Sequence, residues 1–274
     1  MAAAITLLDD PRIADYRRLK ERHLNADGQR FVAESERVVR RLLASGWRVC
    51  SVLVTPPRLA ALADVLPAVE ARGCPVYVAT QAVMDGIAGF HVHRGCLAIG
   101  ERPSASEIPA HARLVVAVED LVDVDNLGAI VRNAAAFGAD ALLLSPRCAD
   151  PFYRKAIRVS LGSVFNLPIV RAAADAWPAQ VAALRATGGF TAVAAVLDDG
   201  AEELASVAPP DKTLLLLGAE GPGLSPGAIA ACDRRVTIPM SAGADSLNVA
   251  TAAAIFLYHL TRATSPSPAT RPSR

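Results

Sequence analysis

Two loops rich in glycine and small polar residues have the composition of a ligand site. The first, residues 218–225, follows the aliphatic run 214–217, and the second, residues 246–249, follows the run 236–240. Two buried strands would therefore deliver both loops to one edge of a sheet, which is where ligands bind in open α/β sheets. Glycines let a ligand approach the backbone closely, so the loops suit the hydrogen-bonding edge of an adenine or a similar flat group.

Three motifs in a fixed order carry a resemblance to a known family. They are Asn126-Leu127-Gly128-Ala129-Ile130-Val131-Arg132-Asn133-Ala134, then Gly218-Ala219-Glu220-Gly221-Pro222-Gly223-Leu224, then Ile238-Pro239-Met240 followed by Ser246-Leu247-Asn248-Val249. In this order they resemble the motifs of the SpoU (TrmH-like) RNA ribose 2′-O-methyltransferases of the SPOUT superfamily. Residues 159–165 and, more weakly, residues 31–34 and 91–95 extend the resemblance.

The resemblance implies a fold, a cofactor and partners. Relatives have an α/β fold, with a C-terminal parallel-sheet trefoil-knot methyltransferase domain and a small N-terminal L30e-like α/β substrate-binding domain. The knot, an exception to the rule that connections do not thread loops, would comprise roughly residues 190–262. The implied cofactor is S-adenosylmethionine, and the implied substrate is a ribose 2′-hydroxyl of rRNA or tRNA. The implied assembly is a homodimer through helices beside the knot, and no metal is needed.

The family's functional positions can be carried over residue by residue. The implied cofactor contacts are Gly218, Gly221, Gly223, Ile238, Met240 and Leu247. The implied catalytic residues are Arg132, Asn126, Glu220, Ser246 and Asn248. Because a guanidinium normally stays charged, we expect Arg132 to stabilise the developing alkoxide and grip a phosphate, although family proposals include proton removal by this arginine. The other four would orient the arginine, the ribose and the cofactor.

Each of these residues also has a structural interpretation. Asn126 and Ser246 precede apolar helical segments and could be helix caps, with Ser246 capping a helix that starts at Leu247. Glu220 could be a solvated loop carboxylate, and the three glycines could be turn formers. Arg132 lies among apolar residues of its helix, where we expect its charge to require a partner.

The loop before this helix departs from the family pattern. It reads Asp123-Val124-Asp125-Asn126, whereas the family usually has Asp-Pro-x-Asn. The loop therefore lacks the fixed φ angle of that proline, but Asn126 and Arg132 are in place, so we expect activity.

Basic residues are concentrated in the N-terminal part of the chain. Residues 1–104 carry 14 Lys plus Arg against 11 Asp plus Glu, a net charge of +3, and the rest carries 14 against 16, a net charge of −2. The resemblance makes four arginines on two predicted helices candidate RNA contacts, namely Arg17, Arg18, Arg40 and Arg41. The alternative is a solvated helix face, since basic runs alone are only suggestive of phosphate binding.

Composition excludes several other classes. A chain of 274 residues with 52% hydrophobic and 20% charged residues can bury a sizeable core in two domains. Its five cysteines form no C-x-x-C pair, which favours a reduced, cytoplasmic setting over a disulfide framework. No run approaches the ~20 apolar residues of a membrane span, so we expect a soluble protein without a membrane partner. His91 and His93 lack the cysteine or carboxylate company of a metal site.

The pattern of elements indicates two α/β domains. Residues 1–102 should form the RNA substrate-binding domain, 103–112 a linker, 113–262 the methyltransferase domain and 263–274 a disordered tail. In the first domain we predict a helix start at Asp10-Pro11, helices at 34–45, 59–72 and 81–87, and strands at 48–55, 76–79 and 96–99. In the second we predict strands at 114–118, 141–144, 164–170, 190–196, 214–217 and 235–238, and helices at 127–137, 152–160, 176–186, 225–231 and 247–262. This alternation specifies a parallel sheet with helices on both faces.

Functions of other classes are weighed against the enzyme. A nicotinamide dehydrogenase would carry G-x-G-x-x-G after its first strand, whereas this chain has G-x-x-G-x-G at residues 218–223 and no G-x-G-x-x-G. The alternative of a catalytically inactive RNA-binding protein with the same fold stays open, because a binding module can keep the fold and lose the chemistry. A base-methylating relative with the same knot also stays open.

Overall fold

The computed structural model describes residues 2–18, 29–88, 95–103, 106–241 and 245–262. Its strands, numbered along the chain, are β1 (Ala3–Ile5), β2 (Arg30–Glu34), β3 (Val49–Val54), β4 (Val76–Ala79), β5 (Cys96–Glu101), β6 (Leu114–Val118), β7 (Ala141–Leu144), β8 (Ile169–Arg171), β9 (Thr191–Ala195), β10 (Glu202–Glu203), β11 (Thr213–Leu217) and β12 (Arg234–Thr237). Its α-helices are α1 (Glu36–Ala44), α2 (Pro56–Ala61), α3 (Leu66–Ala71), α4 (Gln81–Ala88), α5 (Val124–Ala136), α6 (Arg154–Val159), α7 (Ala179–Gly188), α8 (Pro226–Ala230) and α9 (Val249–Leu260). Short 3-10 helices span Pro11–Arg18, Ser163–Asn166 and Leu204–Ser206.

The chain divides into two compact units. The first comprises residues 1–105 and 150–166, and the second comprises residues 106–149 and 167–274. Residues 150–166 thus belong to the first unit, although the sequence places them inside the predicted methyltransferase domain. None of the helices in the described ranges is long and apolar enough to cross a bilayer.

A mixed five-stranded sheet in the order β1-β4-β3-β5-β2 forms the centre of the first unit. β5 runs antiparallel to β2 and β3, whereas β1 and β3 run parallel to β4. Apolar side chains of these strands pack with Ile13 and Met84 in one core cluster. The cluster also buries Tyr16, whose hydroxyl lies 2.8 Å from Ser51 Oγ. Burial raises the pKa of Tyr16 well above its usual range.

The shorter segment of the first unit docks on β2 through aromatic and ionic contacts. The rings of Phe31 and Phe165 stack with centroids 5.4 Å apart, and Trp47 meets both rings edge-on. Arg154 Nη1 lies 2.7 Å from Oε2 of Glu34, whose carboxylate is buried. Because a buried carboxylate needs such a partner, this ion pair and the aromatic cluster together fix the segment on the unit.

A seven-stranded sheet in the order β10-β12-β9-β11-β6-β7-β8 forms the second unit. All of its strand pairs are parallel, which confirms the predicted parallel sheet. Every residue of β6 and β11 is buried, as expected for continuous apolar strands covered on both faces. β11 inserts between β6 and β9, and β12 lies beyond β9. The loops that follow β9, β11 and β12 therefore leave neighbouring strands at the same edge of the sheet.

Some predicted boundaries are wrong for local reasons. The helix expected at 59–72 is two short helices, α2 and α3, because Pro67 suits the first turn of a helix and not its interior. The strand expected at 164–170 is the 3-10 helix Ser163–Asn166 followed by the shorter strand β8. The helix expected from Glu34 begins two residues later, since Glu34 ends the unpredicted strand β2. The strands β1 and β10 have 3 and 2 residues, too few for a periodic signal.

Candidate active site

A cavity of about 600 Å³ is lined by residues that follow β9, β11 and β12 and by the beginning of α9. All six predicted cofactor contacts line it: Gly218, Gly221, Gly223, Ile238, Met240 and Leu247. Three of the predicted catalytic residues, Glu220, Ser246 and Asn248, line it as well. The two loops singled out in the sequence therefore share one cavity, which is a necessary condition for a common ligand.

The cavity also has walls that sequence reasoning missed. Residues 195–198, directly after β9, line it, and Leu197 among them is 64% exposed. Leu224 and Phe256 add apolar surface. The predicted strand at 190–196 could have indicated these residues. It belongs to the same parallel sheet, so its carboxyl end lies at the same edge as the two glycine loops.

The loop between β11 and α8 is a tight backbone turn. Ala219 and Gly223 exchange backbone hydrogen bonds of 3.2 and 3.0 Å across it. A Cβ atom on Gly218 would lie 2.2 Å from the carbonyl carbon of Gly223, so no other residue fits there. Gly221 has φ +85° and open space around a built Cβ. The sequence predicts that these glycines let a ligand come close to the backbone. At Gly218 this is corrected, because the space beside its Cα is filled by the backbone of Gly223.

A buried carboxylate anchors the far end of this loop. Glu119, directly after β6, is 4% exposed. Its carboxylate accepts hydrogen bonds from Ser225 N at 2.7 Å, Ser225 Oγ at 2.7 Å and Trp177 Nε1 at 2.6 Å. Ser225 is the N-cap of α8, with its Oγ also accepting from the N–H of Ala228 at 3.2 Å. Glu119 therefore fixes the point where the glycine loop ends, and sequence reasoning did not find it.

Three of the predicted catalytic side chains form one hydrogen-bonded chain. Asn126 Nδ2 donates to Glu220 Oε1, and Asn248 Nδ2 donates to Asn126 Oδ1 at 2.8 Å. Asn248 Oδ1 in turn accepts from the backbone N–H groups of Ala250 at 3.0 Å and Thr251 at 3.2 Å. The first turn of α9 thus sets the orientation of Asn248, which sets that of Asn126.

The helix-cap interpretations of Asn126 and Ser246 are wrong. Asp123 caps α5, since its carboxylate accepts from the N–H of Asn126 at 2.8 Å. Asn248 caps α9, which begins at Val249 and not at Leu247. Ser246 is exposed and lies before the cap.

The loop from β6 to α5 is held by side chains where the family proline is missing. Asp120 has φ +53°, and its N–H donates to Ser145 Oγ at 2.8 Å. The same hydroxyl donates back to the Asp120 carboxylate at 2.8 Å. Hydrogen bonds from the Arg147 guanidinium to the other carboxylate oxygen lower the pKa of Asp120 below its usual range. These contacts, with the Asp123 cap, order a loop that has Val124 in place of the family proline.

Arg132 is not part of the hydrogen-bonded chain. Its side chain is exposed and forms no hydrogen bond or ion pair in the part of the protein that the structure describes. Six helical residues advance the chain by about 9 Å and leave Arg132 about 120° around α5 from Asn126. Water can solvate this exposed guanidinium in the free protein, and the expected partner for its charge stays a prediction.

The predicted RNA-contacting arginines have different surroundings. Arg17 is exposed, with Nη2 3.4 Å from the carbonyl oxygen of Asp10. Arg40 forms ion pairs with two carboxylates, and Arg41 Nη1 donates to the carbonyl oxygen of Leu161 at 2.8 Å. The side chain of Arg18 lies outside the described residues. RNA contact by any of the four stays a prediction.

The described residues contain no group of three or more histidine, cysteine, aspartate or glutamate side chains arranged to hold a metal ion. His91 and His93 lie outside the described residues, so their interpretation stays a prediction.

The chain is similar to known proteins over most of its length. The model of the SpoU rRNA Methylase family matches residues 113–258. A protein of Mycobacterium tuberculosis described as an uncharacterized tRNA/rRNA methyltransferase is 43% identical over 265 residues, which cover 93% of this chain and 90% of the relative. The 23S rRNA (guanosine(2553)-2′-O)-methyltransferase RlmP of Bacillus subtilis is 28% identical over 91% of this chain and 95% of that protein. The crystal structure of AdoMet-bound rRNA methyltransferase from Sinorhizobium meliloti matches with a TM-score of 0.84, 26% identity and coverage of 97% of this chain and 99% of that one.

Proposed function

The chain belongs to the SpoU rRNA methylase family, and we propose that it transfers a methyl group from S-adenosylmethionine to a ribose 2′-hydroxyl of rRNA or tRNA. The observation that carries the proposal is a row of hydrogen-bonded side chains beside the cavity of the glycine loops, formed by Glu220, Asn126 and Asn248. The relative from Bacillus subtilis is named as a 2′-O-methyltransferase, which supports ribose as the target.

The cavity fits the proposed cofactor. Its volume of about 600 Å³ lies inside the range of roughly 300–1,000 Å³ that is usual for small-molecule sites. Leu197, Ile238 and Leu247 provide apolar surface for a flat ring, and the backbone of the glycine loop provides hydrogen-bonding groups next to it. When bound, S-adenosylmethionine supplies a methyl group activated by its sulfonium. The solved structure from Sinorhizobium meliloti, which is described as AdoMet bound, supports this assignment.

These three hydrogen-bonded side chains keep open donors and acceptors that the ribose can use. Glu220 Oε2 is an acceptor that makes no hydrogen bond with any described residue, and each of the two asparagine amides keeps one N–H hydrogen. A ribose 2′-hydroxyl could donate a hydrogen bond to Glu220 Oε2, and its proton would pass to this carboxylate or to water as the oxygen takes the methyl group. Alignment of reacting atoms is the main contribution that a protein can make to an in-line displacement with an activated leaving group.

Arg132 would supply positive charge to the substrate. Its guanidinium is exposed and has no partner among the described residues, so it is available to an anion from outside the protein. We assign it to the phosphate beside the target ribose and to the alkoxide that develops during transfer, because a guanidinium donates hydrogen bonds and does not give up its proton.

Three further features of the family are part of the proposal. Residues 190–262 would form a trefoil knot, which the insertion of β11 between β6 and β9 supports. The first unit would be an L30e-like domain that binds RNA. The second unit would form a homodimer, which is supported by the exposed apolar side chains of Val122, Ile255 and Tyr258, 73%, 38% and 62% exposed.

Product analysis tests the proposed function. Purified protein is incubated with methyl-labelled S-adenosylmethionine and transcribed rRNA or tRNA, and the digested RNA is examined by mass spectrometry. We expect a labelled 2′-O-methylnucleoside. Label on a base would establish the base-methylating alternative, and cofactor and RNA binding without transfer would establish an inactive binding protein. Mapping of 2′-O-methyl positions in total RNA from cells with and without the gene then names the target nucleotide.

A further inference from the structure

A depression of about 520 Å³ in the first unit is lined almost entirely by arginines. Arg37, Arg40 and Arg41 come from α1 and Arg58 comes from α2, with Glu36 between them. We call these five residues the arginine basin. It is lined only by residues of the first unit, whereas the cavity of the glycine loops is lined by residues of the second unit.

Two of the four guanidinium groups are held in place by carboxylates. Glu36 lies 3.1 Å from Arg40 Nε and 2.9 Å from Arg58 Nη1, so it bridges the two side chains. Asp64 lies 2.8 Å from Arg40 Nη1. Arg40 also donates to the carbonyl oxygen of Ala61. Hydrogen bonds to Asp64 and Glu36 raise the pKa of Arg40, so its charge is permanent.

The other two arginines differ in what they contact. Arg41 Nη1 donates to the neutral acceptors Leu161 O at 2.8 Å and Ser163 Oγ at 3.2 Å, which orient its guanidinium. Arg37 is exposed and forms no hydrogen bond or ion pair inside the described ranges. The five residues of the basin carry four guanidinium groups and one carboxylate, and Asp64 beside Arg40 adds a second carboxylate, so cations outnumber anions among these six residues.

Preorganised cations around an open depression are suited to phosphate. A guanidinium presents paired N–H donors that match two oxygens of one phosphodiester, and the weak hydration of arginine lowers the cost of forming the contact. Ordering a free arginine costs up to about 2 kcal/mol of side-chain entropy, and Arg40, Arg41 and Arg58 have already lost that freedom to protein partners. Only Arg37 would become ordered on binding.

We propose that the arginine basin binds a backbone phosphate of the RNA substrate, with Arg37 as the principal contact and Arg40, Arg41 and Arg58 as a fixed positive wall. The inference rests on the proposed function in that it takes RNA as the substrate. On α1, where the sequence predicts Arg40 and Arg41 as contacts, it adds Arg37 and makes it the principal one, because the structure shows Arg40 and Arg41 engaged with protein acceptors.

The test compares Arg37→Ala with Arg72→Ala. Arg72 is also exposed, lies in the same unit at the end of α3 and has no side-chain partner among the residues described, so it is a matched control. Binding of fluorescent transcribed RNA is measured by anisotropy at several salt concentrations. We expect Arg37→Ala to weaken binding about threefold or more and to reduce the slope of log K against log salt by roughly 0.7–0.9, the value of one phosphate contact. Arg72→Ala and Arg37→Lys should keep the slope of the unaltered protein.

Two further measurements separate this proposal from the proposed function. Cofactor affinity and methyl transfer at saturating RNA should be unchanged in Arg37→Ala, so an unchanged salt slope in an active Arg37→Ala enzyme overturns the basin alone. If the unaltered protein methylates no RNA, inorganic pyrophosphate serves as the probe in calorimetry. Binding that Arg37→Ala weakens at least threefold supports the basin, and equal binding by the unaltered protein, Arg37→Ala and Arg72→Ala, or no binding, refutes it.

Discussion

Replacing Glu119 tests whether the glycine loop depends on one buried carboxylate. Glu119→Ala removes the acceptor for three hydrogen bonds and leaves the N–H groups of Trp177 and Ser225 without a protein partner. Each buried donor that loses its acceptor costs about 1–3 kcal/mol. Trp177 is half-buried and Ser225 is exposed, so water can satisfy part of this loss. We therefore expect the free energy of unfolding to fall by about 2–4 kcal/mol.

Glu119→Gln makes the same test without a change in volume. One amide oxygen can keep two of the acceptor contacts, but the amide NH₂ then faces a donor, either Ser225 N–H or Trp177 Nε1–H. The glutamine variant should be destabilised by about 1–2 kcal/mol, less than the alanine variant. Because Ser225 ends the glycine loop, both variants should also bind S-adenosylmethionine more weakly, with Kd raised about tenfold when ~1.4 kcal/mol of loop ordering shifts to the binding step.

Urea denaturation gives the stabilities, and calorimetry on the folded variants gives the cofactor affinities. Glu203→Ala is the matched control, since Glu203 is an exposed glutamate of the same unit with no side-chain partner in the described part of the chain. The anchoring role of Glu119 is refuted if Glu119→Ala lies within ~1 kcal/mol of the unaltered protein in stability and binds the cofactor equally well.

Three other substitutions follow from the geometry. Arg132→Ala should leave stability and cofactor affinity unchanged and lower single-turnover methyl transfer by about 10² or more. Arg262 is an exposed arginine of the same unit, and Arg262→Ala should leave methyl transfer unchanged. A loss of less than about threefold in Arg132→Ala would contradict the proposed role of Arg132. Gly218→Ala should weaken cofactor binding in calorimetry more than Gly221→Ala. A Cβ at position 218 overlaps the backbone of Gly223, whereas alanine at position 221 meets open space and adds only the strain of φ +85°. Equal affinities would contradict this. Ser35→Gly should raise the free energy of unfolding by about 1 kcal/mol, because the buried Ser35 has the strained φ of +88° and makes no capping hydrogen bond. An unchanged urea midpoint would show that this backbone strain is absent.

The sheet of the second unit could be predicted because its strands are continuous apolar runs. The limits of β6 and β7 agree with the predicted 114–118 and 141–144. Parallel strands buried on both faces need no alternation, so a short aliphatic run between helical segments indicates them directly. The position of the cavity followed from the same runs, since loops after neighbouring parallel strands meet at one edge.

Contacts between residues far apart in the chain could not be predicted. Arg40 looks like a free surface cation in the sequence, but it forms an ion pair with Asp64, 24 residues away. Glu119 looks like the end of a strand, and its partners lie 58 and 106 residues away. Local pattern carries no information on such pairs, so charge runs overstate which arginines are available to RNA.

Asn248 shows why helix capping and the proposed catalytic role are not alternatives at this site. An asparagine side chain has one acceptor oxygen and one donor nitrogen, and the cap of α9 uses the oxygen. The nitrogen must then face away from the helix, where it donates to Asn126 Oδ1. Asn126 consequently presents its own nitrogen to Glu220. One structural hydrogen-bond requirement thus fixes three side chains in turn, and an aspartate at 248, an equally good cap, would lack the donor on which the rest of the chain depends.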